Sequence, residues 1–265
     1  MHFRTSKFIF YAALFTAASL VVLFILLPLL RLITLPSWAL LLKALSDKNT
    51  IVSIANSLIY SFLTAIIALL LGVPLAFLMA KRLFGRFEKF IETIIDLPLA
   101  VPHTVAGIAL LFVIGRRGVI GAFFYNHFRI KFTGTGVAII TAMLFVSLPY
   151  LVDSAREGFK DVNPDLEKAS FMLGASQFAT FWNIFIPLSK KHIESGFLLT
   201  WARAISEFGA VVILAYYPIT APVEIYDAFT QYNLSVSISV AAVLLLICLT
   251  IFLLLRWVIN RDARP

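Results

Sequence analysis

Six times in 265 residues the chain runs for about 20 positions with few or no charges, the length an α-helix needs to cross the hydrocarbon core of a bilayer. Lipid offers the backbone no water to pair with, so each such run must satisfy its N–H and C=O groups internally, as a helix does. The runs fall at about residues 8–30, 53–80, 93–114, 135–152, 195–217 and 235–258. Composition agrees: 61% of residues are hydrophobic and 14% are charged, against about a quarter charged in soluble domains. The expected fold is therefore all-α and integral to the membrane, with six transmembrane helices. Lys7 before the first run resembles the start of a signal peptide. That run exceeds the roughly 7–15 apolar residues of a cleavable core, however, and Arg31 follows it without a small-residue cleavage site, so it reads as a retained anchor.

Charge placement sets the orientation. Fourteen of the 22 Lys and Arg lie in one set of termini and connections, including Lys81, Arg82, Arg86, Lys89, Arg156, Lys160 and Lys168. Seven lie in the alternate set, including Arg116, Arg117, Arg129 and Lys131, and Arg203 falls inside a run. Cytoplasmic loops carry the excess of Lys and Arg, which places both termini in the cytoplasm. The same bias accounts for the net charge of +8 without a nucleic-acid partner. The lone Cys248 rules out a disulfide framework and a thiolate metal site. Four histidines (His2, His103, His127, His192) are scattered over different segments, so no nucleophile–base constellation or metal site is expected. No G-x-x-x-x-G-K-[ST] pattern is present to cradle a nucleotide. The chain is expected to bind no cofactor and to be no enzyme by itself. Internal repeats, linkers and a pair of interrupted spans are not visible in the sequence.

The connection between the fourth and fifth runs departs from this apolar pattern. Its Pro164–Pro187 stretch, PDLEKASFMLGASQFATFWNIFIP, is amphipathic, and five of the chain's 14 acidic residues (Asp153, Glu157, Asp161, Asp165, Glu167) lie within or just before it. Asn163 and Pro164 mark a helix start, and Asp165 and Glu167 suit the positive end of its dipole. Leu166, Ala169, Ser170 and Leu173 share one face by spacing. Gly174 supplies the stop, Ser176 caps a second short helix through Phe178, Phe181, Trp182 and Phe185, and Pro187 closes it. Neither helix buries an apolar face alone, so both need a surface. The bilayer interface and a partner protein satisfy that need equally well.

The spacing here resembles a known motif. Glu167-Lys168-Ala169, then Gly174, then Ile184-Phe185-Ile186-Pro187 is similar to the EAA motif of binding-protein-dependent ABC importer permeases, with Lys168 in place of the middle alanine. That resemblance implies a coupling-helix pair that inserts into a groove on a cytoplasmic ATPase. Glu167 would meet a basic residue of the ATPase, while Ala169, Leu173 and Gly174 would form the close contact.

Two of the apolar runs carry polar residues that cost about 2.5–3.5 kcal/mol each to insert when charged. Arg203 and Glu207 stand four apart in WARAISEFGAVVILAYYP, where they can neutralise one another or face a translocation path. Asp96, Pro98, Pro102, His103 and Thr104 interrupt the third run, and freed carbonyls there point to a helix beside a cavity. His103, Thr104, Arg203, Ser206 and Glu207 are the candidate path or gate residues. The segments DLPLAVPHTVAGIALL and WARAISEFGAVVILAYYPITAP look like those of molybdate/tungstate permeases, with sulfate/thiosulfate permeases as the alternative.

The resemblance implies a type I importer permease fold over residues 53–257, with a coupling-helix loop at 153–193. Residues 1–52 would add the first span and an extracytoplasmic loop, and 258–265 a cytoplasmic tail. It also implies a homodimer in the bilayer, two ATP-binding cassette subunits and an extracytoplasmic oxyanion-binding protein. An ion-coupled secondary transporter using Arg203, Glu207 and His103 as a relay would explain the buried charges. It leaves the capped cytoplasmic helices without a purpose.

Overall fold

The structure, a computed structural model, describes residues 2–231 and 233–261. The expected tail at 258–265 and the charges at Arg4, Lys7, Arg261 and Arg264 lie outside the residues whose side chains are described. The fold is helical throughout. In chain order the helices are α1 (His2–Thr34), α2 (Trp38–Ser46), α3 (Lys48–Ala80), α4 (Glu88–Ala100), α5 (His103–Ile114), α6 (Val119–Phe128) and α7 (Gly136–Lys160). There follow α8 (Pro164–Met172), α9 (Gln177–Thr180), α10 (Ile186–Leu188), α11 (Lys190–Ile205), α12 (Gly209–Leu214), α13 (Ala221–Thr230) and α14 (Leu234–Arg261).

Among the described residues, five stretches are long and apolar enough to cross a membrane: 10–34, 48–80, 103–128, 136–160 and 234–257. Two expected spans take a different form. The third breaks at Val101-Pro102, so that α4 ends there and the apolar stretch runs on through α5 and α6. Pro102 has no N–H to donate and disfavours a helical Val101, which accounts for the break. The fifth consists of two pieces, α11 and α12, separated by Ser206–Phe208. A pair of interrupted helices is therefore present, although none was visible in the sequence. The boundary expected at 52/53 falls inside α3, and the coupling connection proper is 161–189, because α7 continues to Lys160 and α11 begins at Lys190.

The centre of the molecule is a three-helix stack of α3, α7 and α11 held together by small residues. On α3, Ser53, Ser57, Ser61, Thr64, Ala68, Gly72 and Ala76 recur at three- or four-residue steps and are all buried. Gly196, Thr200 and Ala204 form a matching stripe on α11. In lipid, where apolar surface gains little by burial against another helix, close backbone approach and interhelical hydrogen bonds hold helices together. Both are present. A Cβ added at Gly196 would sit 2.9 Å from Ser154 Cβ and 3.2 Å from the Leu151 backbone. Thr200 Oγ1 donates to Ser147 O at 3.2 Å, and Trp201 Nε1 to Ser61 Oγ at 2.9 Å. α1 lies against α14 and is exposed from Phe10 to Arg31, consistent with a helix at the lipid-facing periphery.

At one end of the stack, α13 is pinned to α3. Glu224 accepts from Thr50 Oγ1 at 2.9 Å and from Ser53 Oγ, Ala221 N donates to Ser57 Oγ at 2.8 Å, and Asn56 Nδ2 donates to Ile219 O at 2.9 Å. At the other end, Phe77, Phe159, Phe181 and Phe185 pack together in one cluster with Met79, mostly edge to face, with ring centroids 4.8–6.3 Å apart. Gly196→Val should overpack the α7–α11 contact at a cost of about 1–3 kcal/mol. A lowered unfolding midpoint of the purified permease in detergent would show it; an unchanged midpoint would mean the stack is looser than described.

Candidate functional site

Two sites follow from the residues the sequence singles out. The first is the 161–189 connection. The Asn163 side chain accepts from Asp165 N at 2.9 Å, Pro164 opens α8, and Asp165 and Glu167 occupy its first turn. Gly174 takes φ +82°, the left-handed region where other residues are strained, and open space surrounds its Cα. It is therefore required for the turn, and a Cβ added there would meet nothing within 4 Å. Ser176 accepts from Ala179 N at 3.2 Å to start α9, and Ser170 Oγ and Thr180 Oγ1, 2.8 Å apart, tie the two helices together. Pro187 does not close the second helix. Residues Phe181–Phe185 form a wider turn in which Ile186 N reaches back five residues to Phe181 O. Pro187 cannot donate to Asn183 O, and widening the turn ahead of it relieves the clash, so the chain continues into α10 and α11.

Burial divides the expected face. Ser170 is buried, whereas Met172 and Leu173 are each 88% exposed and Phe178 is 73% exposed. Ala169 and Leu166 are exposed as well. Glu167 forms an ion pair with Lys81, the residue that ends α3. Lys81 Nζ also sits 4.1 Å from the centre of the buried Phe185 ring. Glu167 thus has a basic partner in its own chain, where the pair fastens α8 to α3. Lys81 was not singled out from the sequence. It is 86 residues from Glu167, and only the fold brings the two together.

The second site lies where the two interrupted helices meet. The break before α5 and the break before α12 face one another, and glycines set the approach. A Cβ on Gly209 would meet His103 Cβ at 2.7 Å, and one on Gly107 would meet the Ala210 backbone at 2.9 Å. Between them sits Glu207, 1% exposed. Its Oε2 lies 2.8 Å from Arg203 Nη2 and 3.0 Å from His103 Nδ1, and its Oε1 accepts from Ala210 N at 2.9 Å. Arg203 Nη1 also donates to Ser206 Oγ at 3.2 Å. Four of the five expected path residues, His103, Arg203, Ser206 and Glu207, therefore form one cluster. Thr104 follows His103 with its side chain exposed. Asp96, across the Val101-Pro102 break, is not part of the cluster. His103 remains 45% exposed, so the cluster has an open side. A carboxylate held by a guanidinium, an imidazole and a backbone N–H can hold two helix breaks in place. It supplies no nucleophile paired with a base, and so no covalent chemistry.

With this geometry described, comparison with known proteins identifies the class. Residues 72–262 match the family of binding-protein-dependent transport system inner membrane components, and the chain belongs to that family. It is a multi-pass inner-membrane component of a binding-protein-dependent transport system, not an enzyme in itself. Its relatives include the molybdate/tungstate transport system permease protein WtpB of Pyrococcus abyssi, 39% identical over 92% of this chain and 93% of that one. The protein of the same description from Thermococcus kodakarensis is 40% identical over 83% of each chain. A probable sulfate transport system permease protein cysT from a Helicosporidium species is 35% identical over 73% of this chain and 72% of its own. Among solved structures, a bacterial alginate ABC transporter, in complex with alginate pentasaccharide-bound periplasmic protein, matches with a TM-score of 0.80. The match covers 98% of this chain and 96% of that one at 16% identity, which speaks to the fold.

Removing one partner of a buried ion pair costs about 3–5 kcal/mol, whereas replacing both with apolar residues is often neutral. Glu207→Ala should therefore lower the unfolding midpoint sharply, and the Arg203→Met/Glu207→Met double variant should recover most of the loss. Equal destabilisation by the single and double variants would show that the pair is not what stabilises the junction.

Proposed function

We propose that the chain is the membrane-spanning subunit of an ATP-driven importer for molybdate and tungstate. It works as a homodimer, with two copies of a cytoplasmic ATPase below it and an oxyanion-binding protein delivering substrate from the far side. The observation that carries this reading is the identity of about two residues in five with molybdate/tungstate permeases across nearly the whole length of both chains. Sulfate is the weaker reading, supported by a relative that aligns over less of the chain.

The geometry supports a mechanism. Met172, Leu173 and Phe178 present an apolar knob with no cover among the described residues, suited to a groove on the ATPase. Glu167 on Lys81 and Phe185 in the aromatic cluster attach that knob to α3 and α7. The 16 residues of α11 make a rod about 24 Å long, leading from the knob to Arg203 and the paired helix breaks. Closure of the ATPase dimer would push on α8–α10, displace α11 along its axis and shift the break that holds Arg203 and Glu207 against His103. With Arg203 neutralised internally, selection of the oxyanion resides in the binding protein, and the permease alone has no nanomolar affinity for molybdate or tungstate.

Reconstitution of permease, ATPase and binding protein in liposomes tests this reading. ATP should drive uptake of molybdate and tungstate but not sulfate, and Leu173→Asp or Phe178→Asp should abolish both uptake and co-purification of the ATPase. Uptake that persists without ATP, or a variant knob that still retains the ATPase, would contradict it.

A further inference from the structure

α4 has two faces that the transport mechanism leaves unexplained. Phe87, just before it, and Phe90, Ile94 and Leu97 follow at three- or four-residue steps and are all exposed, a stripe suited to lipid. Arg86, Lys89 and Glu92, at three-residue steps on another face, line a cavity of about 430 Å³. Met79 and Arg82 close it from the end of α3, and Arg156 and Lys160 from the last turns of α7. Five of the lining side chains are cationic, and only Glu88 and Glu92 are acidic.

Arg156 is held by Glu92 at 2.7 Å, Asp153 at 3.6 Å and Glu157 at 3.7 Å, and Lys160 pairs with Glu157 at 2.8 Å. Of the lining acids that leaves Glu88, whose Oε2 is buried without a hydrogen-bond partner, against three further cations. Arg82, Arg86 and Lys89 form no ion pair among the described residues. Arg82 moreover takes φ 53° where α3 ends, a left-handed position at which glycine carries no steric cost and arginine does.

We propose that this cavity is a binding site for the phosphate of an anionic phospholipid headgroup. The Phe87–Leu97 stripe puts α4 at the lipid boundary, with Arg82, Arg86 and Lys89 at its beginning, the level at which headgroups sit. Juxtamembrane Lys and Arg attract anionic lipids. The planar forks of Arg82 and Arg86 suit two oxygens of one phosphate. Inorganic phosphate shares that chemistry but has no acyl chain to lie along Phe87 and Phe90. A bound headgroup would join the ends of α3, α4 and α7, next to Lys81, on which α8 is anchored.

The test uses the purified full-length permease in mild detergent, titrated with phosphatidylglycerol, phosphatidylcholine or inorganic phosphate, with bound lipid counted by native mass spectrometry. Phosphatidylglycerol should be retained in preference to phosphatidylcholine, and millimolar inorganic phosphate should not displace it. Each surface cation contributes roughly fivefold to anionic-lipid affinity. The Arg82→Ala/Arg86→Ala/Lys89→Ala variant should therefore lose at least about tenfold in phosphatidylglycerol binding, while Lys43→Ala/Lys48→Ala/Arg117→Ala, with the same loss of charge elsewhere, should lose none. If the triple variant unfolds in phosphatidylcholine, Arg86→Ala and Lys89→Ala are read singly, each with a loss of about fivefold. Equal retention of the two lipids, an equal loss in the control variant, or displacement by inorganic phosphate would overturn the assignment. The last outcome would make the cavity a free-anion site.

Discussion

The carboxylate of Glu207 is the group on which the junction of the two interrupted helices depends. Two helices are interrupted close to one another, and each break strands backbone groups and polar side chains in an apolar setting. Glu207 answers several of these demands at once. It neutralises Arg203, meets His103 across the break before α5, and accepts the N–H of Ala210 in the first turn of α12. Without that carboxylate the partly buried guanidinium of Arg203 would lose its counter-charge within the helix bundle, where ionised side chains are costly. Gly209 and Gly107 make the contact possible, because any Cβ at either position would collide with the facing helix.

From this junction α11 leads back to the segment that carries the exposed Met172, Leu173 and Phe178. α11 begins one residue after the α8–α10 segment and ends at the break, and its small-residue face keeps it in contact with α3 and α7 along its length. The attachment of α8 is equally direct: Lys81 touches Glu167 with its charge and the face of Phe185 with the same ammonium group. The exposed knob and the buried junction are thus opposite ends of one continuous packed element. A rigid element with a two-state contact at its end is what coupling between distant sites requires in physical terms.

Much of this was legible in the residues. Hydropathy located the apolar segments, because a run of about 20 uncharged residues has few other uses. The caps at Asn163, Ser176 and Gly174 were also readable, since each is a local hydrogen bond or dihedral requirement that composition alone reveals. The i, i+4 spacing anticipated the Arg203–Glu207 pair. What the sequence concealed depends on tertiary proximity. Lys81 and Glu224 are unremarkable in the sequence, and only the fold shows one clasping Glu167 and the other gathering Thr50 and Ser53. The recurrence of Ser and Thr at 50, 53, 57 and 61 was an available signal for Glu224, because a buried polar stripe demands a partner. Pro187 misled for a related reason. Proline was read as a terminator, but a widened turn relieves its clash and lets the chain proceed as helix.

The junction of broken helices is proposed to lie on a water-accessible path gated by the ATPase. The most direct measurement is the rate at which a charged, membrane-impermeant thiol reagent labels Thr104→Cys in a Cys248→Ser background, in the assembled transporter with and without trapped ATP. The account predicts rapid labelling in one nucleotide state and protection in the other. Equal labelling rates in both states, or no labelling in either, would contradict it.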